Sequence, residues 1–125
     1  MPSEMSNGNG SFWYAYDYGN SYWISLDSES SLEPDSNQYL WLETTLQNAV
    51  ANRVNQPWIV VTIHRPIYCS SEGSPMYYSK LEAILLKYDV DLTVTGHMHL
   101  YERVHPSNNL IPTVLPVKGK TILYT

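Results

Sequence analysis

Two short apolar runs, each followed by a histidine motif, constrain the possible folds more than any other part of this chain. Residues 57–63 (Pro-Trp-Ile-Val-Val-Thr-Ile) precede His64, and residues 90–95 (Val-Asp-Leu-Thr-Val-Thr) precede residues 96–99 (Gly-His-Met-His). Both runs are too short for a helix and too apolar for a half-exposed strand, which predicts two buried, parallel strands. We therefore expect the two histidine motifs to lie side by side at one edge of a sheet.

The stretch between these runs predicts a crossover helix. Parallel strands need a connection of about a dozen residues or more. Residues 79–88 supply it, with apolar side chains at helical spacing on one face: Leu81, Ile84, Leu85 and Tyr88. The result is a β-loop-α-β unit, and ligands in sheets of this kind collect beyond the carboxyl ends of the strands.

Three histidines, His64, His97 and His99, are expected at that edge and predict a metal site. Neutral imidazole is a common ligand of zinc, iron and related metals. In an extended chain, His97 and His99 would also project to the same side. Each histidine taken alone is better explained by ordinary hydrogen bonding, but the joint pattern favours metal binding.

The rest of the chain predicts a hairpin and a second helix. Residues 12–18 and 22–27 are rich in aromatic and β-branched residues and are separated by residues 19–21 (Gly-Asn-Ser), a turn signal. A helix is predicted to have its cap within residues 35–36 and to end near Asn55. Its buried stripe is predicted to contain five residues: Leu40, Trp41, Leu46, Val50 and Val54.

Three blocks of this sequence resemble a known family. Residues 64–70 (His-Arg-Pro-Ile-Tyr-Cys-Ser), residues 89–92 (Asp-Val-Asp-Leu) and residues 96–103 (Gly-His-Met-His-Leu-Tyr-Glu-Arg) are similar to the last two of the five metal-ligand blocks of purple acid phosphatases, which are calcineurin-like metallophosphoesterases. Residues 12–27 resemble the hairpin that precedes those blocks. The resemblance covers almost the whole chain, and the pattern Gly-His-x-His-x-Tyr-Glu-Arg is specific.

The resemblance implies an α+β fold with mixed α/β layers. It would be part of a four-layer αββα metallophosphoesterase sandwich, with a βαβ crossover and an N-terminal β-hairpin. Residues 1–11, rich in Ser, Asn and Gly, predict a flexible lead-in, and residues 12–125 are expected to be the C-terminal portion of the catalytic domain. Because relatives continue on both sides of the matching region, the chain is expected to be truncated.

The resemblance also implies a cofactor and a reaction. The complete site of the family is a dinuclear metal centre, iron(III) with zinc, manganese or iron(II), and it hydrolyses phosphate monoesters with a metal-bound hydroxide as the nucleophile. By motif position, His64 and His97 would bind the divalent metal and His99 the iron. The resemblance assigns no catalytic or substrate-binding residue in this chain.

Several ligand blocks of the family have no counterpart in these residues: the bridging aspartate, a second aspartate, a tyrosine, an asparagine and a general-acid histidine. Residues 17–19 (Asp-Tyr-Gly) match the family's Asp-x-Gly motif, but their place in the hairpin favours a turn. We therefore expect at most one weakly bound metal ion and no phosphatase activity from the chain alone. The alternatives are a non-catalytic metal-binding or interaction fragment of the same fold, and a structural domain whose histidines no longer bind metal.

Charge and composition limit the partners. With 12 acidic residues, 7 basic residues and a net charge of −5, the chain is not expected to bind nucleic acid, and it contains no run long enough for a membrane span and no signal peptide. A phosphate ester is the expected substrate, and the resemblance implies a secreted, lysosomal or vacuolar protein. The sequon Asn9-Gly10-Ser11 weakly favours a secreted glycoprotein, while the oligomeric state and any disulfide partner of Cys69 outside this chain stay open.

Overall fold

A mixed β-sheet organises the described part of the computed structural model, which comprises residues 5–70, 79–104, 107–108, 111–112 and 122–124. Its strands are β1 (Tyr14–Tyr18), β2 (Ser21–Leu26), β3 (Trp58–Ile63), β4 (Leu92–Thr95), β5 (Arg103–Val104) and β8 (Ile122–Tyr124), in the spatial order β1-β2-β3-β4-β8-β5. Two further strands, β6 (Ser107–Asn108) and β7 (Ile111–Pro112), pair with each other. The helices are α1 (Asn37–Ala51) and α2 (Ser79–Lys87).

The predicted N-terminal hairpin is confirmed. Strands β1 and β2 are antiparallel, with a register that runs from Tyr14 opposite Ser25 to Tyr18 opposite Ser21. Gly19 has a φ of 58°, a left-handed conformation that glycine adopts without a steric penalty. The Asp-Tyr-Gly motif therefore ends in a hairpin turn.

The predicted βαβ unit is also confirmed. Strand β3 is parallel to β2 on one side and to β4 on the other, where Val60 lies opposite Leu92 and Ile63 lies opposite Thr95. Helix α2 forms the crossover between β3 and β4. Strand β4 begins at Leu92, two residues later than the apolar run predicts.

The core lies between one face of the sheet and both helices. Ile24, Ile59 and Val61 are fully buried and belong to one cluster with side chains of α1 and α2. On α2 this cluster includes Leu81, Ile84 and Leu85, as predicted, with Tyr88 partly buried beside them. Each fully buried aliphatic side chain contributes roughly 1.5–3 kcal/mol to folding.

The predicted buried stripe of α1 is mostly wrong. Leu40 and Val50 on the helix and Val54 beyond it are 51%, 38% and 89% exposed, and the helix ends at Ala51, before Asn55. The face that α1 buries keeps the predicted Leu46 and otherwise consists of Gln38, Leu42, Thr45 and Ala49, with Trp41 partly buried against the core. These residues follow the three- and four-residue spacing of a helix, but two of them, Gln38 and Thr45, are polar. A prediction based on apolar residues alone therefore selects a neighbouring face of the helix.

The cap of α1 and the region before β1 show how the helix is held. Ser36 is the N-cap, and its hydroxyl accepts a hydrogen bond from the Tyr39 amide at 3.3 Å.

Residues 5–11, within the predicted lead-in, are attached to the sheet and to α1. The Ser6 hydroxyl accepts from the Ala15 amide, and the Ser6 carbonyl accepts from the Trp41 indole. The lead-in boundary itself stays a prediction.

No helix in the described ranges combines the length and the apolar character that crossing a bilayer would require.

Arg53 ties the end of α1 to the amino ends of β3 and β4. Its Nη1 donates to the Pro57 carbonyl at 2.6 Å and to Asp91 Oδ2 at 2.8 Å, and its Nη2 donates to the Asp89 carbonyl. Asp91 Oδ2 also accepts from the Ile59 amide at 2.8 Å. This cluster lies at the end of the sheet opposite to the histidine motifs.

Replacing Arg53 with leucine should destabilise the fold. The change removes a charged donor from two carbonyls and a carboxylate, and we expect the free energy of unfolding to fall by about 2 kcal/mol. Urea unfolding followed by tryptophan fluorescence measures this value. Lys80→Leu, at an exposed position of α2, is the control and should change it by less than about 0.5 kcal/mol; equal losses from both changes would contradict the role given to Arg53.

Candidate metal centre

The two histidine motifs lie side by side at the carboxyl ends of β3 and β4. His64 directly follows β3, and the Gly96 amide, directly after β4, donates to the His64 carbonyl at 2.9 Å. This bond continues the parallel ladder beyond the two strands. We call residues 64–70 the β3 loop and residues 96–102 the β4 loop.

The imidazole rings of His64 and His97 are in contact. His97 Nδ1 lies 3.2 Å from His64 Nε2, the ring centroids are 5.1 Å apart and the ring planes cross at 82°. Two imidazole nitrogens that bind one tetrahedral zinc ion at about 2.0–2.1 Å lie about 3.3 Å apart. The pair therefore fits two ligand positions of a single metal ion. In neutral rings the same distance also allows one imidazole to donate to the other.

His99 is not brought together with these two histidines as a set of three ligands. In the ranges that the structure describes, no group of three or more His, Cys, Asp or Glu side chains has an arrangement that could hold a metal ion. His64, His97 and His99 are all exposed. The assignment of His99 as a ligand stays a prediction, and His105 lies outside the described residues.

The β4 loop is not extended, which corrects the prediction that an extended backbone points His97 and His99 to one side. The Met98 amide donates to the Gly96 carbonyl at 2.8 Å, and the Leu100 amide donates to the Met98 carbonyl at 2.9 Å. Each bond closes a three-residue turn, and the two histidines stand at the centres of these turns.

The left-handed residue in this loop is His97 rather than Gly96. His97 has a φ of 70°, whereas the φ of Gly96 is not positive. A three-residue turn with a positive φ at its centre is rare and strained, and such strain persists only where the surroundings hold it. A Cβ added at Gly96 would lie 3.7 Å from its nearest neighbour, His64 Nδ1, so the glycine is not needed for space.

The β3 loop is anchored to α2 by a buried side-chain pair. The Tyr68 hydroxyl donates to Glu82 Oε1, and both residues are only 7% exposed. Sequence reasoning missed this pair, because the two residues are 14 positions apart and belong to different elements. The only signal was a carboxylate next to the apolar stripe of α2.

A second contact joins the β3 loop to the segment after β2. Arg65 Nε donates to Glu29 Oε1 at 2.7 Å and Arg65 Nη2 donates to Glu29 Oε2 at 3.1 Å. These bonds hold the pKa of the Glu29 carboxyl below its ordinary value. The ionised carboxylate of Glu29, and with it the ion pair to Arg65, is therefore lost only as the pH falls through that lowered pKa. Since both side chains are exposed to solvent, the ion pair adds little to stability, and its main effect is to orient the Arg65 side chain.

The segment after β2 is itself held by Gln38, which is 1% exposed. The Gln38 side chain accepts from the Asp27 amide at 2.7 Å and donates to the Asp27 carbonyl at 3.0 Å. A buried polar side chain needs such partners, because an unpaired amide inside a protein is costly. Gln38 can lie on the buried face of α1 because its amide bonds to the segment after β2, the same segment that contacts Arg65 of the β3 loop.

The far ends of the two histidine loops are also joined. The Ser70 amide donates to Glu102 Oε2 at 3.0 Å.

A cavity of about 350 Å³ opens at the carboxyl ends of β2, β3 and β4, and its lining includes the hydroxyl residues Ser25, Thr62 and Thr95 as well as His64. Hydroxyl and imidazole groups can donate hydrogen bonds to an oxyanion.

Comparison with known proteins gives a consistent result. A family model described as calcineurin-like phosphoesterase matches residues 4–101. An acid phosphatase of Aspergillus ficuum is 30% identical over 166 residues, which cover 97% of this chain and 27% of that protein. The Fe(3+)-Zn(2+) purple acid phosphatase 12 of Arabidopsis thaliana is 33% identical over 113 residues, 87% of this chain and 24% of that protein.

A solved structure is similar over most of the fold. Purple acid phosphatase PPD1 from yellow lupin (Lupinus luteus) seeds matches with a TM-score of 0.80 and 30% identity, covering 90% of this chain and 22% of that one. This likeness confirms the predicted partial α/β sandwich. The chain spans about a quarter of the length of the relatives that it matches, 27% and 24% of the two named above.

Glycine and alanine substitutions should have opposite rankings at the two histidines of the β4 loop. At His97, glycine should give the higher free energy of unfolding by about 1 kcal/mol, because alanine resists a left-handed backbone. At His99, whose φ is not positive, alanine should be the more stable by roughly 0.5–1 kcal/mol. Urea unfolding of the four variants measures both differences, and the same ranking at both positions would refute the turn geometry.

Proposed function

The chain belongs to the calcineurin-like phosphoesterase family, and we propose that it carries part of the metal site of an acid phosphatase that hydrolyses phosphate monoesters. The observation that carries this proposal is the 3.2 Å separation of His64 Nε2 and His97 Nδ1 at the ends of two parallel strands. The names of the relatives, an acid phosphatase and a purple acid phosphatase, support the choice of reaction. Under this proposal residues 12–125 are a portion of the catalytic domain.

The histidines have separate roles in this proposal. His64 and His97 bind a divalent ion together, and His99 binds iron. A relative that is named for Fe(3+) and Zn(2+) supports a dinuclear centre of iron with zinc, manganese or a second iron. When bound, two such ions neutralise the phosphoryl oxygens and make water a better nucleophile.

The residues of this chain would prepare the site. For His64 Nε2 and His97 Nδ1 to offer lone pairs to one ion, the ring protons must lie on His64 Nδ1 and His97 Nε2. The bond from the Gly96 amide to the His64 carbonyl keeps the two loops in register. Ser25, Thr62 and Thr95 line the adjacent cavity, which offers room for a phosphate group beside His64.

We also propose that the protein acts in a secreted, lysosomal or vacuolar setting. The family resemblance supports this, and Asn9 of the Asn-Gly-Ser sequon is exposed, as a glycan attachment site requires. Treatment of the protein from its natural source with an N-glycosidase tests the attachment.

Metal binding by the 125-residue chain should depend on His64 and His97. We expect His64→Ala and His97→Ala each to weaken zinc binding at least about tenfold, since each removes one ligand. Isothermal titration of the purified variants measures the affinities, and His105→Ala is the matched control.

An equal loss from His105→Ala would refute this ligand assignment, as would unchanged binding in the first two variants. Histidine-dependent metal binding without any turnover in a longer protein would favour the alternative function, a non-catalytic metal-binding module.

The 125-residue chain alone should hydrolyse p-nitrophenyl phosphate negligibly. Hydrolysis by two metal ions needs ligands that hold the pair about 3.5–4 Å apart, and the residues assigned here are three imidazoles without a bridging carboxylate. The test compares the turnover of the 125-residue chain, with added iron and zinc, with that of a longer protein. The longer protein also carries the aspartate, tyrosine and asparagine-histidine ligand blocks of the family. Metal-dependent turnover by the shorter chain near that of the longer one, abolished by His97→Ala, would overturn this prediction.

A further inference from the structure

The two histidine loops differ in how they are held. The β3 loop has a buried anchor, the hydrogen bond from the Tyr68 hydroxyl to Glu82 on α2. In the β4 loop, the bonds from the Met98 and Leu100 amides only close local turns of three residues. Strands β4 and β5 hold the two ends of this loop in the sheet, and its bonds to the β3 loop determine where His97 lies between them.

Both ends of the β4 loop continue into strands of the sheet, β4 and β5, and one bond near each end joins the loop to the β3 loop. At the start, the Gly96 amide donates to the His64 carbonyl at 2.9 Å. At the end, Glu102 Oε2 accepts from the Ser70 amide at 3.0 Å. His97 lies between these two bonds, one residue from the first and five from the second.

The strain at His97 makes the second bond important. A left-handed histidine at the centre of a three-residue turn, with a φ of 70°, relaxes unless the chain on both sides is fixed. Fixing both ends of a short loop removes most of the conformations through which it could relax. The pairing of β5 with β8 holds the chain after the loop in the sheet, while the Glu102 bond joins the loop itself to the β3 loop.

We propose that Glu102 is a positioning residue. Its carboxylate holds the end of the β4 loop against Ser70 and thereby keeps His97 Nδ1 at ligand distance from His64 Nε2. The proposal deepens the proposed metal site and rests on it. It assigns Glu102 no contact with the metal or the substrate.

Reach and charge can be separated at this position. Glu102→Gln keeps the length of the side chain and an acceptor oxygen but loses the charge, whereas Glu102→Asp keeps the charge and shortens the side chain by one methylene. A residue that acts by holding Ser70 tolerates glutamine better than aspartate. A residue that acts through its charge on a bound cation tolerates aspartate better than glutamine.

The test uses the 125-residue chain with zinc alone as the probe, in the natural sequence, Glu102→Gln, Glu102→Asp and Glu102→Ala. Glu33→Ala, at an exposed glutamate, is the control for loss of one negative charge. In the metal-free variants, NMR measures hydrogen exchange of the Ser70 amide and the proton contact between the His64 and His97 rings. Calorimetry then measures the dissociation constant for zinc.

For Glu102→Ala and Glu102→Asp we expect faster exchange of the Ser70 amide, loss of the ring contact and a zinc dissociation constant raised about tenfold or more. Glu102→Gln and Glu33→Ala should stay within about threefold of the natural sequence. If Glu102→Ala does not fold, the comparison of glutamine with aspartate decides. Zinc binding that survives in Glu102→Asp but not in Glu102→Gln would overturn the proposal. An unchanged contact between the His64 and His97 rings in Glu102→Asp would also overturn it.

Failure of the metal site itself would be recognised separately. If zinc binding by the natural sequence does not depend on His64, the proposed function fails. The Ser70 exchange and the ring contact, measured without metal, still decide whether Glu102 positions His97.

Discussion

The parallel pairing of β3 with β4 is the interaction on which the rest of the structure depends. It places Ile63 opposite Thr95, and the next step of the ladder is the bond from the Gly96 amide to the His64 carbonyl. A slip of one residue would turn Val61 away from the core. Because core burial fixes this register, it also fixes which two histidine motifs lie side by side.

This much could be predicted from the sequence, because it follows from patterns along the chain. The apolar run before His64 and the helical spacing in residues 79–88 predict a β-loop-α-β unit, and the observed β3, α2 and β4 match it within two residues. The rule that the carboxyl ends of parallel strands lie together then predicts the meeting of His64 with His97. The assignment of His64, His97 and His99 as metal ligands, made from the residue pattern and from the family resemblance, stays a prediction.

The remainder depends on contacts between residues that no local pattern connects. Gln38 is buried because the segment after β2 needs its amide, which hydropathy cannot reveal. The bonds from Tyr68 to Glu82 and from Ser70 to Glu102 join separate elements. The left-handed backbone at His97 carries no signal in the sequence, because glycine is the residue that most readily adopts that conformation. For Gln38, Tyr68 and Glu102, contacts between residues far apart in the sequence decide the geometry.

The backbone at His97 also limits how this position could change during evolution. Besides glycine, asparagine and aspartate are the residues that most readily adopt a left-handed conformation. Both offer oxygen to a metal, whereas cysteine and glutamate would be strained there. A drift away from nitrogen at this position would therefore favour harder cations such as manganese or magnesium over zinc. Under the ligand assignment proposed above, the backbone of this turn therefore limits which metals the position can bind.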